Sequence, residues 1–506
     1  MSPFRHLIDL ACARMGGRVL AANDEFFAEK ENLVRDEPPV WEESRYTDRG
    51  KWMDGWETRR RREPGHDWCI VRLGFPGITR GVVVDTAHFR GNYPESCWLE
   101  GTVASRDASV ESLLADDTAW HPVLPRQRLS GDAQNEFPVD APWACTHLRF
   151  HIDPDGGVAR LRVHGEVVAD LPSFPPHQAV DLAALERGAA VVSASDMFFG
   201  SRHHLILPGP SRGMHDGWET KRRRGPGHDW AVVRLAGRGA VERVLVDTSH
   251  FKGNAPGTCA LDLADLAPGG GEAEPGEADW TECLPLRPLR PHAEHEFAVA
   301  GDGGPATHAR LRIYPDGGVA RLRLFGRLDA RGREDVGLRW LHTLPPPAAA
   351  RELLQCLACA AWVRRVVEGR PFASRAALLA AAEIAFDDLA RGDWEAALVS
   401  HPRIGESAPA GGGHEPSARE RQWSEQEQGD VWGADPDLQR RLAEGNRRYE
   451  ERFGRIFLIR AAGRTAGEIL QALETRLGNA PDAEIEVAAS ELRDIARRRL
   501  ERMVTG

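Results

Sequence analysis

Three kinds of side chain able to do chemistry crowd one short stretch of this sequence: the carboxylates Glu57, Asp67 and Asp85, the imidazoles His66 and His88, and the arginine run Arg59 to Arg62. The same types return at Glu219, His228, Asp229, Asp247 and His250. A histidine with an aspartate, as in His66/Asp67 or Asp85/His88, can pass a proton near neutral pH. The same groups could instead hold a divalent ion jointly through imidazole and carboxylate, although no spacing among them is a metal-binding pattern. Arg59–Arg62 offers either a solvated strand face or guanidinium forks for a carboxylate. Residue types also permit a plainer reading, in which Asp and Asn at strand ends hydrogen-bond turns.

A second set lies towards the other end of the chain. His401 precedes Pro402, which disfavours helical backbone and puts the imidazole in a loop, available for proton transfer. Glu427 follows Ser424 at the spacing of a capping box, and Arg499 closes a basic cluster on the last helix, where the helix dipole alone would favour cations. Cys356-x-x-Cys359, inside an apolar helical run, has no second pair to complete a zinc site and reads as core thiols.

The elements that must position these groups are duplicated. Gly55 and Gly217, His66 and His228, and His88 and His250 are each 162 residues apart. A period this long means a repeated domain, since solenoid units recur every 20–50 residues. In each copy short β-branched runs, Trp68–Leu73 and Gly81–Val84, then Trp230–Leu235 and Val241–Val246, are bounded by Gly and Pro. Both copies close on Pro-Asp-Gly-Gly turns at Pro154 and Pro315, followed by an alternating Val-Ala-Arg-Leu-Arg strand. Tandem all-β repeats of the sandwich or jelly-roll kind are predicted, with functional residues on loops at one end. The offset before the motif is 172, from Asp24 to Asp196, so copy one carries about ten extra residues between Asp36 and Thr47.

Beyond Leu344-Pro-Pro-Pro347, read as a linker because consecutive prolines exclude helix, the texture turns to Ala, Leu, Glu and Arg with helical period. Ile469, Leu470, Leu473 and Leu477 share a face behind the capping box Thr465-x-x-Glu468. The expected division is therefore repeat one over 1–172, repeat two over 173–343, a linker at 344–347 and an all-α domain over 348–506. A net charge of −11 argues against nucleic acid as the main partner. No run is apolar enough for a membrane helix, Met1–Gly16 lacks a signal-peptide core, and eight scattered cysteines suit a reducing cytoplasm.

The words Asp24-Glu-Phe-Phe-Ala, Gly-Trp-Glu-Thr-Arg-Arg-Arg-Arg, Gly-His-Asp-Trp and Asp-Thr-Ala-His-Phe-Arg-Gly-Asn resemble allantoicase, the hydrolase that converts allantoate to ureidoglycolate and urea, over about 1–340. That family is built of two jelly-roll repeats. The resemblance assigns no catalytic residues here, so the candidates remain Glu57, Arg59, His66, Asp67, Asp85, His88, Glu219, His228, Asp229, Asp247 and His250, with the live copy and any metal undecided. The blocks His401-Pro-Arg-Ile-Gly-Glu, Trp423-Ser-x-x-Glu-Gln and Arg452-Phe-Gly-x-x-Phe are similar to 2-oxo-4-hydroxy-4-carboxy-5-ureidoimidazoline (OHCU) decarboxylase over about 348–504. This implies His401, Glu427 and Arg499 as the catalytic set, a pocket completed by Pro402, Ser424, Gln428 and the backbone around Phe457–Ile459, and no cofactor.

Together the resemblances imply a bifunctional enzyme of ureide metabolism acting on small-molecule ureides. A homo-oligomer and association with allantoinase are compatible with it. The rival expectation is a single decarboxylase carrying a non-catalytic β-sandwich ligand-binding module.

Overall fold

The computed structural model describes residues 2–267, 274–299, 301, 303–399, 423, 435–461 and 463–506. They form two compact units, Met1–Pro345 and Pro346–Gly506.

In the first copy the strands are β1 (Ile8–Asp9), β2 (Arg18–Ala22), β3 (Tyr46–Thr47), β4 (Gly50–Lys51), β5 (Trp56–Glu57), β6 (Asp67–Asp85), β7 (Ser96–Thr102), β8 (His121–Arg128), β9 (Gln134–Pro138), β10 (Ala144–Asp153), β11 (Gly157–Val158) and β12 (Arg160–Val167). The two runs expected at Trp68–Leu73 and Gly81–Val84 are one strand, β6, and Asp229–Asp247 is its counterpart. The Gly74-Phe-Pro-Gly77 break is a corner rather than an end: the ladder shifts register there, and a Cβ on Gly74 would lie 2.3 Å from the Met15 carbonyl oxygen.

That corner lets β6 serve two layers. Its first half pairs antiparallel with β2 and β10, its second half with β12 and β9. β7 and β8 extend the first layer beyond β10, and β1 extends the second beyond β12. Cys69, Val71, Val82, Val84, Leu99, Leu148, Phe150, Leu161 and Val163 fill the space between, all at 0% exposure. The same buried cluster continues through Val233, Val246, Leu261, Leu311 and Leu322 of the second copy, so the repeats share one core. An ionic knot also joins them, with Arg14 bound to Asp216 and Arg212 bound to Asp36.

Strand pairing fixes where the functional loops go. Asp67 opposes Ile152, and Asp85 opposes Arg160. Only the turn through Pro154-Asp-Gly-Gly separates those partners, so both ends of β6 emerge at the same end of the sandwich. The loops before Asp67 and after Asp85 gather there. The ten extra residues of copy one add the β3–β4 hairpin, in which Lys51 faces the Trp41 and Tyr46 rings.

The second unit is helical over Pro346–Leu354, Ala360–Glu368, Arg375–Asp387, Arg391–Val399, Pro436–Phe453, Ala466–Arg476 and Pro481–Thr505. The expected linker at 344–347 is corrected: helix begins at Pro346, because a first-turn proline gives up only an N–H that has no intrahelical acceptor. Cys356 and Cys359 are buried in the connection between two helices, not inside one. Thr465 and Glu468 form the expected capping box in front of Ala466–Arg476, and Ile469, Leu470 and Leu473 pack inward.

Candidate functional site

In copy one the motif is a loop, not the strand face offered for Arg59–Arg62. Asp24 organises it by accepting from the Phe26 and Arg59 backbone N–H groups and from Arg59 Nε at 2.6 Å. Arg61 donates to the buried Asp67 carboxylate at 2.6 Å, and Asn23 Nδ2 donates to the same oxygen at 2.9 Å. Arg59 and Arg61 are therefore committed to scaffold carboxylates. Arg60 and Arg62 alternate with them, are exposed, and have no acidic partner among the described residues.

Glu57, at the edge of this loop, is half-buried and accepts from Asn92 Nδ2 at 2.7 Å. Burial raises its carboxyl above the usual range, and the Asn92 hydrogen bond only partly offsets this. Glu219 and Asn254 repeat the pair at 2.5 Å.

The two acid/base pairs expected from sequence do not form. Asp85 is a turn acceptor for the Ala87 backbone N–H at 2.8 Å and for Gln134 Nε2 at 3.2 Å. His88 turns away from it, with Nε2 3.4 Å from the Pro39 carbonyl and its ring beside Trp41. Asp247 and His250 behave alike, Asp247 accepting from Ser249 N and His250 Nε2 lying 3.0 Å from the Ser211 carbonyl. Both histidines hold left-handed backbone at φ 71°, costly for a side chain with a Cβ and repeated in both copies. Asp67 is likewise spent on Arg61, and Asp229 on Arg223 and Ser195.

His66 instead joins a group that its neighbours in sequence do not announce. Its Nε2 lies 3.0 Å from His151 Nδ1, and His151 Nε2 lies 3.0 Å from Glu100. Arg149 clasps Glu100 through Nε at 2.9 Å and Nη2 at 2.7 Å. Strand register makes the cluster. His151 on β10 opposes Trp98 on β7, and Arg149 opposes Glu100, all on the outer face because Cys97, Leu99, Leu148, Phe150 and Ile152 point inward. The Trp98 and His151 rings stack at 4.5 Å and 3°. Burial pushes His151 down to about 4, outweighing the pull of Glu100. Burial, with the Arg126 and Arg61 charges, outweighs the upward pull of the Asp153 and Asp67 carboxylates and holds His66 below the ordinary imidazole value. For Glu100, burial acts upward but is overcome by Arg149 and His151, leaving the carboxyl below its usual range.

Copy two departs here. Arg312 stands where His151 does and Asp262 where Glu100 does, each facing the equivalent strand position. Arg312 gives its N–H groups to Asp262, Glu282 and the Tyr314 hydroxyl, while His228 lies against the Tyr314 ring at 4.7 Å. Sequence reading missed Trp98, Glu100, Arg149 and His151 because alternation marks their strands but not which residues face one another.

Among the described residues no three His, Cys, Asp or Glu side chains converge to hold a metal ion. The joint His/carboxylate site entertained from sequence has its carboxylates committed to Arg61, Ala87 and Gln134.

The allantoicase-repeat family model matches residues 8–168 and 180–329, covering both copies. The chain belongs to the allantoicase family. A probable allantoicase of Pseudomonas aeruginosa (strain UCBPP-PA14) is 48% identical over 328 residues, 64% of this chain and 97% of that protein. Allantoicase of Dictyostelium discoideum is 44% identical over 318 residues, 62% of this chain and 86% of that protein. The crystal structure of allantoicase from Saccharomyces cerevisiae superposes with a TM-score of 0.52 at 33% identity, over 63% of this chain and 92% of that one. Residues 342–501 match the OHCU decarboxylase family model. This is a bifunctional enzyme of purine catabolism, a hydrolase in the allantoicase half and a carboxy-lyase in the helical half, and the rival reading of the β repeats as a non-catalytic binding module is not favoured.

In the decarboxylase half, His401, Pro402, Ser424, Glu427 and Gln428 lie outside the described residues. Arg499 is buried at 7% exposure on Pro481–Thr505, and Phe457 and Ile459 are buried at 2% and 3%. Arg476 Nη1 donates to the Leu458 carbonyl at 2.8 Å and its guanidinium lies 4.7 Å from the Phe457 ring centre. Arg476 is in turn paired with Glu484, at 0% exposure, which also takes Asn479 Nδ2 at 2.7 Å and the Tyr449 hydroxyl. This buried network fixes the backbone segment expected to line the pocket, and nothing in the sequence motifs pointed to Arg476 or Glu484.

No helix among the described residues is long and apolar enough to cross a membrane.

Proposed function

We propose that allantoate is hydrolysed at the loop end of the β repeats, with its carboxylate held by the uncommitted forks of Arg60 and Arg62. Hydrolysis breaks the bond between the central carbon and one ureido nitrogen. The bonding electron pair leaves on nitrogen, which takes a proton as urea departs, while water oxygen bonds to carbon and gives up a proton. Glu57 suits the donor, because burial keeps it protonated to higher pH than a free carboxyl. His66 suits the base, because burial keeps it neutral to lower pH.

In the helical half, loss of CO2 leaves an electron pair in the imidazoline ring. His401 would deliver the proton to one face, giving (S)-allantoin, Glu427 would hold the substrate hydroxyl, and Arg499 would fix an oxyanion or the ureido group. No cofactor enters this scheme.

The observation that carries the reading is that two allantoicase repeats and a decarboxylase domain share one chain. The two reactions are not consecutive, since allantoin must be ring-opened between them. We infer that the fusion fixes the enzymes' ratio or recruits an allantoinase, as a homo-oligomer or otherwise. The eight cysteines are all free, and seven are buried, which supports a reducing cytoplasm.

The test is urea release from allantoate and allantoin formation from OHCU by the full chain, with and without chelator, beside Glu57→Gln and His401→Asn. Loss of urea alone in the first variant and of allantoin alone in the second supports the assignment. Unchanged rates in either variant remove that residue from it, and urea that disappears with chelator refutes the metal-free scheme.

A further inference from the structure

We propose that Glu100 and His151 are positioning residues that fix the tautomer of His66, so that hydrolytic base catalysis belongs to the first repeat alone. This rests on the allantoate-hydrolase reading above and adds residues and a choice of copy to it.

Hydrogen-bond valence carries the argument. Glu100, clasped by two Arg149 N–H groups, is an ionised acceptor and cannot donate. The atom of His151 that faces it, Nε2, must therefore carry the proton. A neutral imidazole has one N–H, so His151 Nδ1 is left as an acceptor, and the atom facing it, His66 Nε2, must donate. Neutral His66 then has its lone pair on Nδ1. That nitrogen has no partner among the described residues. Each proton position follows from the one before, and the chain ends on an unoccupied base.

The same valence argument fails in copy two. Arg312 has no acceptor atom, so it cannot relay the charge of Asp262 to His228, and its Nη1 and Nη2 donate to Tyr314, Asp262 and Glu282. His228 has a ring neighbour in Tyr314, cationic neighbours in Arg312, Arg310 and Arg223 and the Asp229 charge nearby, but among the described residues no histidine links it to a carboxylate to set its tautomer. The Glu57/Asn92 pair recurs at Glu219/Asn254, so the copies differ in the base and not in the carboxyl. Trp98, packed on both His151 and His66, and Arg126, 4.3 Å from the Trp98 ring centre, hold the imidazoles in place.

The experiment uses the full chain and follows urea release from allantoate against pH, with far-UV circular dichroism and a urea-denaturation midpoint as checks of the β unit. His66→Gly is expected to lower kcat by 10²–10⁴-fold, with partial rescue by added imidazole, and His228→Gly by less than threefold. Glu100→Gln keeps the shape but removes the charge that stabilises protonated His66. It is expected to lower kcat at least tenfold with KM within twofold, and to move the acid limb of the profile to lower pH. His151→Asn serves in its place if Glu100→Gln fails the folding checks. Urea release within threefold of wild type in His66→Gly, a loss in His228→Gly instead, or a fall in Glu100→Gln with no movement of the acid limb each overturns the relay. Wild-type chain that releases no urea while still making allantoin refutes the hydrolase reading itself.

Discussion

Arg160→Met is expected to cost the allantoicase half about 3–5 kcal/mol, and Arg321→Met in copy two clearly less. Arg160 and Asp54 face each other at 2% and 4% side-chain exposure, 2.9 Å apart. Arg160 also donates to the Glu37, Asp54 and Ala159 carbonyls at 2.9, 3.1 and 2.8 Å, which ties the copy-one insertion and the start of the Gly-Trp-Glu-Thr motif to β12. Removing it leaves a buried carboxylate and two buried carbonyls, those of Asp54 and Ala159, without their donor, and frees the Glu37 carbonyl. Asp54 would keep only the Val40 N–H at 2.9 Å and a longer contact to Arg35 at 3.6 Å. Asp216, its copy-two equivalent, retains Arg14 and the Arg212 backbone N–H after Arg321 is lost, so a guanidinium still faces the buried charge. Urea denaturation of the full-length variants, followed by near-UV circular dichroism, measures both losses. A cost below about 1 kcal/mol for Arg160→Met, or equal costs at the two sites, would refute the reasoning that the stranded carboxylate sets the magnitude.

Acid should weaken the β half in a defined window. Burial pushes His147, His151 and His308 down to about 4, so the unfolded chain binds protons that the folded one refuses; their stabilisation is present above pH 6.5 and lost as pH falls towards 4, at roughly 1.4 kcal/mol per pH unit for each. Denaturation midpoints flat across that interval would count against it. Glu484→Gln should strand Arg476 at about 3–5 kcal/mol and abolish allantoin formation at moderate temperature while urea release persists; parallel loss of both activities would contradict the separate placement. Asn92→Ala removes a donor to the Glu57 carboxylate, so the alkaline limb of urea release should move to higher pH, and a limb that stays put would take Glu57 out of the donor role.

Much was legible before any coordinate. The 162-residue period gave the duplicated β architecture, and helical periodicity with the Thr465 capping box gave the α domain. These signals are local, carried by residues within a few positions of one another. The Gly74–Gly77 corner was misread as a strand end because Gly and Pro mark both a turn and a bend in a continuous ladder. Sequence adjacency likewise suggested His66/Asp67 and Asp85/His88, but successive side chains on extended backbone diverge, and each found its partner elsewhere.

The sequence by itself determined which residue types are present, that the chain is duplicated, and which two families it resembles. Only the tertiary structure decided that Trp98, Glu100, Arg149 and His151 meet beside His66, and that copy two has Arg312 in that place. The reason is register. Cross-strand neighbours are chosen by the antiparallel pairing of β7 with β10, some fifty residues apart in the chain, and no local pattern encodes that alignment.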